Sequence, residues 1–294
     1  MNSRWMIAQG RTVLTAGAVL AVLLLAGGWL FSHPISVSAN QSVILLPAAM
    51  YHSVTDAGDS PAQYVISPSM LESDLQYLQA HGRETVTIHD LLAYVQDGAA
   101  LPEKPVLLTF DDGYYNNYKY AYPLLKQYGM RAVLSPVASL TERFSQTDEA
   151  EQEAWSYCTG RELREMADSG VFEIQNHSYD FHELKPRKGC LRMAGETAAA
   201  YRQCFLSDTR RAQDLFVSLG IEAPMCYTYP YGAVNAEAQA LTAVCGFSVT
   251  LSCEEGVTAL TRDTACLKGI RRNNRDGRWS SAQFWDALLA QTEG

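Results

Sequence analysis

LLTFDDGYYNNY, residues 107–118, decides the fold. With Val106 ahead of them, Leu107, Leu108, Thr109 and Phe110 form a short apolar run that stops at two adjacent carboxylates, a glycine and a cluster of tyrosines and asparagines. A run of that length bounded by glycine reads as a buried strand entering a loop. In α/β proteins the loops at the carboxyl ends of parallel strands carry the chemistry.

Outward from this point, short apolar runs alternate with amphipathic segments. VILLPAAMYH (43–52) predicts a first strand. SPSMLESDLQYLQAHG predicts a helix opened by Ser67 and Pro68, with Leu71, Leu75 and Leu78 on one face and Gly82 as its stop. TIHDLLAYVQDG predicts a second helix ending at Gly98. Beyond the strand at 106–110 follow a helix around YAYPLLKQYG, a strand at RAVLSPV, a helix at GRELREMADSG and a strand at VFEIQNH. A helix through 195–219, a strand at MCYTYPYG, a helix over 235–244 and a strand at GFSVTLS complete the pattern. Strands separated by helices predict parallel βα units. Two segments break the alternation. Residues 140–158 carry Asp148, Glu149, Glu151 and Glu153 and read as a solvated insertion; residues 183–192 carry Lys185, Arg187, Lys188 and Arg192 and read as a wet basic surface.

The chain has 294 residues and 47% hydrophobic content, enough for a full core in one large domain or two small ones. Its formal net charge of -9 argues against a nucleic-acid partner, which calls for a concentrated basic face. From Thr12 to Phe31 no side chain is ionisable, and about 20 residues at about 1.5 Å each span a bilayer core. Arg4 and Arg11 precede this stretch and Asp56 is the next formally charged residue, so the expected topology is a cytoplasmic amino terminus at 1–11 and a single-pass anchor at 12–32. A linker at 33–42 and an extracellular catalytic domain at 43–294 follow. The alternative is a secreted protein cleaved near Val37-Ser38-Ala39.

All seven cysteines, Cys158, Cys190, Cys204, Cys226, Cys245, Cys253 and Cys266, fall in the second half of the chain, within the exported part. Export permits disulfides, an odd count leaves at least one thiol over, and no Cys-x-x-Cys pair marks a metal site. They read equally well as small buried hydrophobes.

After the strand VFEIQ comes NHSYDFH, with His177 and His182 five residues apart. On a helix that spacing would point them about 140° apart, so they must converge from a loop. Two imidazoles and a carboxylate make a three-ligand site for a catalytic divalent metal, and Asp111-Asp112 supplies a ligand and, separately, a base. Taken singly, an Asp-Asp at a strand end is a turn or a cap, and a histidine pair is surface or core.

TFDDG, NHSYDFH and YTYPYG together resemble the first three motifs of the polysaccharide deacetylase family, metal-dependent enzymes that remove N-acetyl groups from sugars. LLPAAMYHSV and LPEKPVLLTFDDG resemble the branch with poly-N-acetylglucosamine deacetylases and membrane-anchored bacterial relatives. The resemblance covers roughly residues 43–286 and implies a distorted (β/α) barrel. It implies Asp111 as general base and Asp112, His177 and His182 as ligands of one divalent metal, with zinc expected and cobalt, nickel or iron able to bind such a set. It also implies an oxyanion site at the backbone N–H of Tyr231, beside Pro230 in YPYG.

Two departures from the family pattern stand out. Thr228 occupies the place where many members carry an arginine that pairs with the catalytic aspartate, and no histidine follows His182 to serve as the usual late general acid. Arg272, in LKGIRRNNR, is the candidate replacement for the arginine. His52, at the end of the first strand, is the candidate to orient substrate or deliver the proton. Tyr114, Tyr115 and Tyr118 follow the metal loop, where flat rings suit pyranose faces; Tyr118 is expected to pack a helix instead, and Tyr231 and Trp279 read either way.

The expected activity is hydrolysis of N-acetyl groups from N-acetylglucosamine-type units of a cell-wall or extracellular polysaccharide, by a monomer tied to the membrane. The alternative is a catalytically silent carbohydrate-binding protein on the same scaffold. A glycoside hydrolase fits less well, because its two acids flank the bond about 5 to 9 Å apart.

Overall fold

In the computed structural model, which describes residues 43–58, 61–147 and 151–292, the opening stretch lies in β5, Pro105–Asp112, flanked by parallel strands on both sides. The expected anchor at 12–32, the linker after it, and Asp148 and Glu149 lie outside the described residues. Among the described residues no helix is long and apolar enough to cross a membrane.

Strand β1, Ile44–Tyr51, pairs with one side of β5, and β6, Ala132–Pro136, with the other; β7, Phe172–Ile174, continues beyond β6. In addition β4, Glu84–Val86, pairs with β5, β10, Val257–Leu260, runs antiparallel to β1, and the short β2, Ser53–Val54, and β3, Val65–Ile66, pair with each other. Strands β8, Cys226–Thr228, and β9, Val249–Leu251, form their own parallel pair. Two isolated parallel bridges join this pair to the rest, Asn176 with Tyr227 on one side and Leu251 with Ile270 on the other. Just past Ile270, β11, Asn273–Asn274, returns to pair in parallel with β1. The ring therefore closes, as a (β/α) barrel distorted by two seams where single bridges replace a ladder. Closure removes exposed strand edges and gathers the carboxyl ends of the strands around one mouth.

Period-two alternation assigns the faces of β5. Val106, Leu108 and Phe110 point outward into a core shared with helices α1, Pro68–Ala80, α3, Tyr122–Gln127, α5, Gly160–Asp168, and α8, Ser281–Leu289. Leu107 points inward with Leu46, Ala48, Val133, Cys226, Val249 and Leu251. By the same alternation Thr109 and Asp111 face the interior, which carries Asp111 into the barrel mouth.

The other elements agree with the sequence pattern in kind, with several corrections. Strand β5 runs through both aspartates instead of stopping at Phe110, because Asp111 and Asp112 still register with Ser135 and Pro136 of β6. The helix at TIHDLLAYVQDG is α2, Ile88–Leu92, followed by a π-helical turn at Ala93–Asp97, and a second π turn at Asn117–Ala121 precedes α3. The segment expected to be loop-like begins with α4, Ala138–Phe144. Glu153 in that segment is an anchor rather than a solvated charge. It accepts from Thr55 and Tyr120 at 2.9 and 2.8 Å and pairs with Lys119 at 2.5 Å. Arg187 is likewise no wet surface charge, since it is buried and grips Glu196 through two nitrogens at 2.7 and 3.0 Å. The long α6, Ala198–Ser218, and α7, Ala236–Val244, stand where the periodicity placed them. All seven cysteines are unpaired, and Cys158, Cys190 and Cys226 are buried as small hydrophobes.

At the opposite end of the barrel from the mouth, His89 lies 3.1 Å from Glu173 and 3.2 Å from Glu222. The hydrogen bond to Glu173, set against burial and helped by Glu222, pushes its pKa up to about 9. A group raised in the folded state stabilises the fold fully below its unfolded value near 6.5 and loses that contribution as pH rises through about 9. His89 is nearly half exposed, so the effect is modest, about 0.2–1 kcal/mol. We expect thermal melts of the parent to lose about 1–3 °C between pH 6.5 and 9.5 beyond the loss seen in His89→Gln. Parallel melting curves for the two proteins across that window would refute the linkage.

Candidate active site

Backbone geometry at the mouth is set residue by residue. Gly113 takes a φ of 78°, and a Cβ there would meet the Pro136 side chain at 2.5 Å, so only glycine can follow the two aspartates. Asp112 itself has a φ of 67° and Tyr231 of 57°, both lining one cavity, and Ser178, next to the lining His177, has a φ of 72°; these are three of the four non-glycine residues with positive φ among the described residues. Strain concentrated in this way is characteristic of functional sites.

His177 and His182 come from the loop after β7. Asn176 accepts from the amide of Ser178 at 2.7 Å, and the carboxylate of Asp208, on α6, accepts from the amides of Tyr179 and Asp180 at 2.9 and 2.8 Å. The loop is thereby pinned so that both rings turn toward Asp112. Asp112 Oδ1 lies 3.5 Å from His177 Nε2 and 3.0 Å from His182 Nε2, and the three ligand atoms lie within 4.8 Å of one another.

This set fits a divalent metal. His177 Nδ1 lies 2.9 Å from the Thr228 carbonyl, which can only accept, so a neutral ring carries its proton there and presents the Nε2 lone pair to the carboxylate. Asp112 Oδ1 is buried without a hydrogen-bond donor. A lone pair facing an unpartnered buried carboxylate oxygen calls for a cation between them.

Asp111 is bound differently. Arg272 Nη1 and Nη2 donate to its two oxygens at 2.7 and 2.8 Å, and the same guanidinium donates to Thr109 Oγ1 at 3.1 Å and the Ser252 carbonyl at 2.9 Å. Both members of the pair are buried. Burial alone would push the Asp111 carboxyl up, but the charge and hydrogen bonds of Arg272 outweigh it and hold the group below its usual range. Arg272 thus stands where the aspartate needs a guanidinium, while Thr228 shares a 2.7 Å hydrogen bond with Ser135 and offers its carbonyl to His177.

The cavity above these groups has a volume of about 600 Å³ and is also lined by His52, Tyr114 and Tyr231. His52 is packed edge-on against Tyr64, and its Nδ1 is buried with no partner. Burial lowers its pKa against the pull of Asp111 and Asp112, which keeps the ring neutral near pH 7. Tyr231 stacks on His182 with centroids 4.5 Å apart and donates its hydroxyl to the His182 carbonyl at 3.1 Å, while Pro230 is buried beside it. Tyr114 stacks on Tyr157 at 4.8 Å. Tyr118 packs its helix and hydrogen-bonds Glu165, as expected, and Trp279 lies outside this cavity.

Several lining residues escaped the sequence pattern: Gln63, Tyr64, Lys188, Cys253, Glu255 and Asn274. They sit in irregular loops, or for Asn274 in the two-residue β11, with no periodicity to flag them. The supporting roles of Asp208 and the Thr228 carbonyl carry no local signal either.

The family model described as polysaccharide deacetylase matches residues 98–250, about half of the chain. YxkH of Bacillus subtilis, itself named only provisionally as a polysaccharide deacetylase, is 27% identical over 227 residues, 77% of this chain and 71% of that protein. A poly-β-1,6-N-acetyl-D-glucosamine N-deacetylase of Staphylococcus aureus is 27% identical over 195 residues, 65% of this chain and 62% of that protein. Among solved structures, a de-N-acetylase from Aggregatibacter actinomycetemcomitans superposes with a TM-score of 0.69 at 24% identity, over 83% of this chain and 100% of that one. At that identity the likeness is one of fold.

Proposed function

The chain belongs to the polysaccharide deacetylase family and is a deacetylase hydrolase, and from that premise we propose that it removes N-acetyl groups from N-acetylglucosamine units of a cell-wall or extracellular polysaccharide. The observation that carries the proposal is the division of labour between adjacent aspartates: Asp111 is gripped by Arg272 and kept ionised, while Asp112 faces His177 and His182.

Asp112, His177 and His182 would hold one divalent metal, zinc in first place, which would supply Lewis acidity toward the acetyl carbonyl and the attacking water. Asp111 takes a proton from that water as the new C–O bond forms at the amide carbon. The Tyr231 backbone N–H stabilises the negative charge that develops on the carbonyl oxygen. The C–N bond then breaks, leaving acetate and the sugar amine. His52, held neutral, shuttles the proton collected by Asp111 to the departing nitrogen. The anchor at 12–32 would hold the catalytic domain outside the cell, close to the wall.

Arg272 also removes one ground for a catalytically silent binding protein, since the catalytic aspartate has not lost its arginine. The test is acetate release by the full chain from poly-β-1,6-N-acetylglucosamine and from peptidoglycan. Asp111→Asn is expected to lose about 1,000- to 10,000-fold and His52→Gln about 100-fold in turnover, within the range of general acid–base contributions. Sugar binding without acetate release by the parent would favour the silent protein, and full turnover in His52→Gln would remove the shuttle.

A further inference from the structure

Next to the metal-ligand cavity lies a second depression of about 310 Å³. The two share Gln63, Glu255 and Asn274 as lining residues, so they form one groove with a saddle between its halves. Asn274 sits at the saddle. Its Nδ2 donates to the Gln63 carbonyl at 2.8 Å, but its Oδ1 is buried with no donor. A buried acceptor left open at the junction of two cavities is a place where a ligand hydroxyl or N–H belongs.

The far half is walled by Trp279 and Phe284. The Trp279 side is 48% exposed, yet its backbone is fixed at both ends: its amide donates to the Asp276 carbonyl at 3.1 Å, and its carbonyl accepts from Arg275 Nη1 at 2.9 Å. Arg275 is in turn locked by the buried carboxylate of Asp74 at 2.8 Å. An exposed indole on an immobilised backbone is a flat apolar surface presented at little entropic cost. Of the two acids lining this half, Asp276 is occupied by Arg278, whereas the Glu255 carboxylate has no hydrogen-bond or ion-pair partner among the described residues.

We propose that this half of the groove is a second sugar subsite of the same polysaccharide, with the apolar face of a neighbouring pyranose on Trp279, a polar group of the chain on Asn274 Oδ1, and Glu255 favouring a neighbour that already bears a free amine. The inference rests on the function proposed above. The reaction turns a neutral acetamide into an amine that is cationic near pH 7, and Glu255 stands at the saddle, lining both halves. The enzyme then works best beside its own product and deacetylates in blocks.

The test uses the full chain with three probes: 4-nitrophenyl acetate, which needs only the metal cavity, fully N-acetylated β-linked glucosamine pentamer, and the same pentamer with one free amine. Trp279→Ala is expected to raise the KM for both pentamers about 3- to 10-fold with kcat and the ester reaction unchanged, and Trp279→Phe to restore most of the affinity. Glu255→Gln is expected to abolish a preference of 3-fold or more for the free-amine pentamer and to leave the acetylated one alone. An unchanged pentamer KM in Trp279→Ala, or an equal loss on ester and pentamers, overturns the subsite. No free-amine preference in the parent overturns the role of Glu255. Calorimetric titration of the acetylated pentamer separates this inference from the proposed function: binding that weakens in Trp279→Ala supports the subsite even if the parent releases no acetate, and binding that does not weaken sinks the subsite even if it does.

Discussion

Arg272→Met should lower turnover 100- to 1,000-fold and move the acid limb of the pH–rate profile upward. Arg272 is the only guanidinium on Asp111 among the described residues, and it meets both carboxylate oxygens. Without it, burial dominates and the carboxyl pKa rises, so the base ionises only at higher pH and the acid limb moves in the alkaline direction. The loss expected for a preorganised charged contact in a dry site sets the magnitude. Stability should fall as well, because one partner of a buried pair is left uncompensated, a change of about 3–5 kcal/mol, or about 10 °C in a domain of this size. Arg272→Lys keeps the charge but loses the fork, and should fall between parent and Met in rate. A Met variant with the parent's pH profile would show that the pair is structural only.

The second large effect concerns the ligands. Full-length parent reconstituted with zinc should hold about one metal per chain by elemental analysis, and the His177→Ala, His182→Ala double variant less than a tenth of that, with acetate release at background. The stability pattern separates metal loss from misfolding. In metal-free buffer the double variant should melt somewhat below the parent, since it loses the buried His177 contact to the Thr228 carbonyl and the His182–Tyr231 stack, so the response to added zinc is the discriminating readout. With zinc at about 100 times its dissociation constant, only the parent should gain about 2.7 kcal/mol. An equal zinc response in both proteins would move the ligand set elsewhere.

The barrel and the two aspartates were legible because β5 combines an unbroken apolar run with an abrupt change of chemistry, and both signals are local. The histidine pair was legible from its spacing, and Arg272 from the absence of an arginine at Thr228. The lengthening of β5 to Asp112 was hidden, since it depends on a register with β6 rather than on any preference of Asp for strands. Strands such as β11 are two residues long and exist only because β1 is there to pair with them. The second half of the groove was invisible for a related reason. Asn274 sits in two-residue β11, Glu255 in a separate loop, and Trp279 in an irregular stretch held by the Arg275–Asp74 pair, 201 residues apart in the chain.

The same arithmetic applies to the catalytic pair, where Asp111 and Arg272 are separated by 161 positions and meet only when the last segment of the ring docks against β1. Contacts of such long range form only at the entropic cost of closing the intervening chain. A molecule cut short before residue 272 would contain every metal ligand and the general base, and yet its base would be buried without a counter-charge or not buried at all. Catalytic competence thus requires the segment that carries Arg272 and β11 to be seated against β1, and enzyme activity doubles as a readout of that closure.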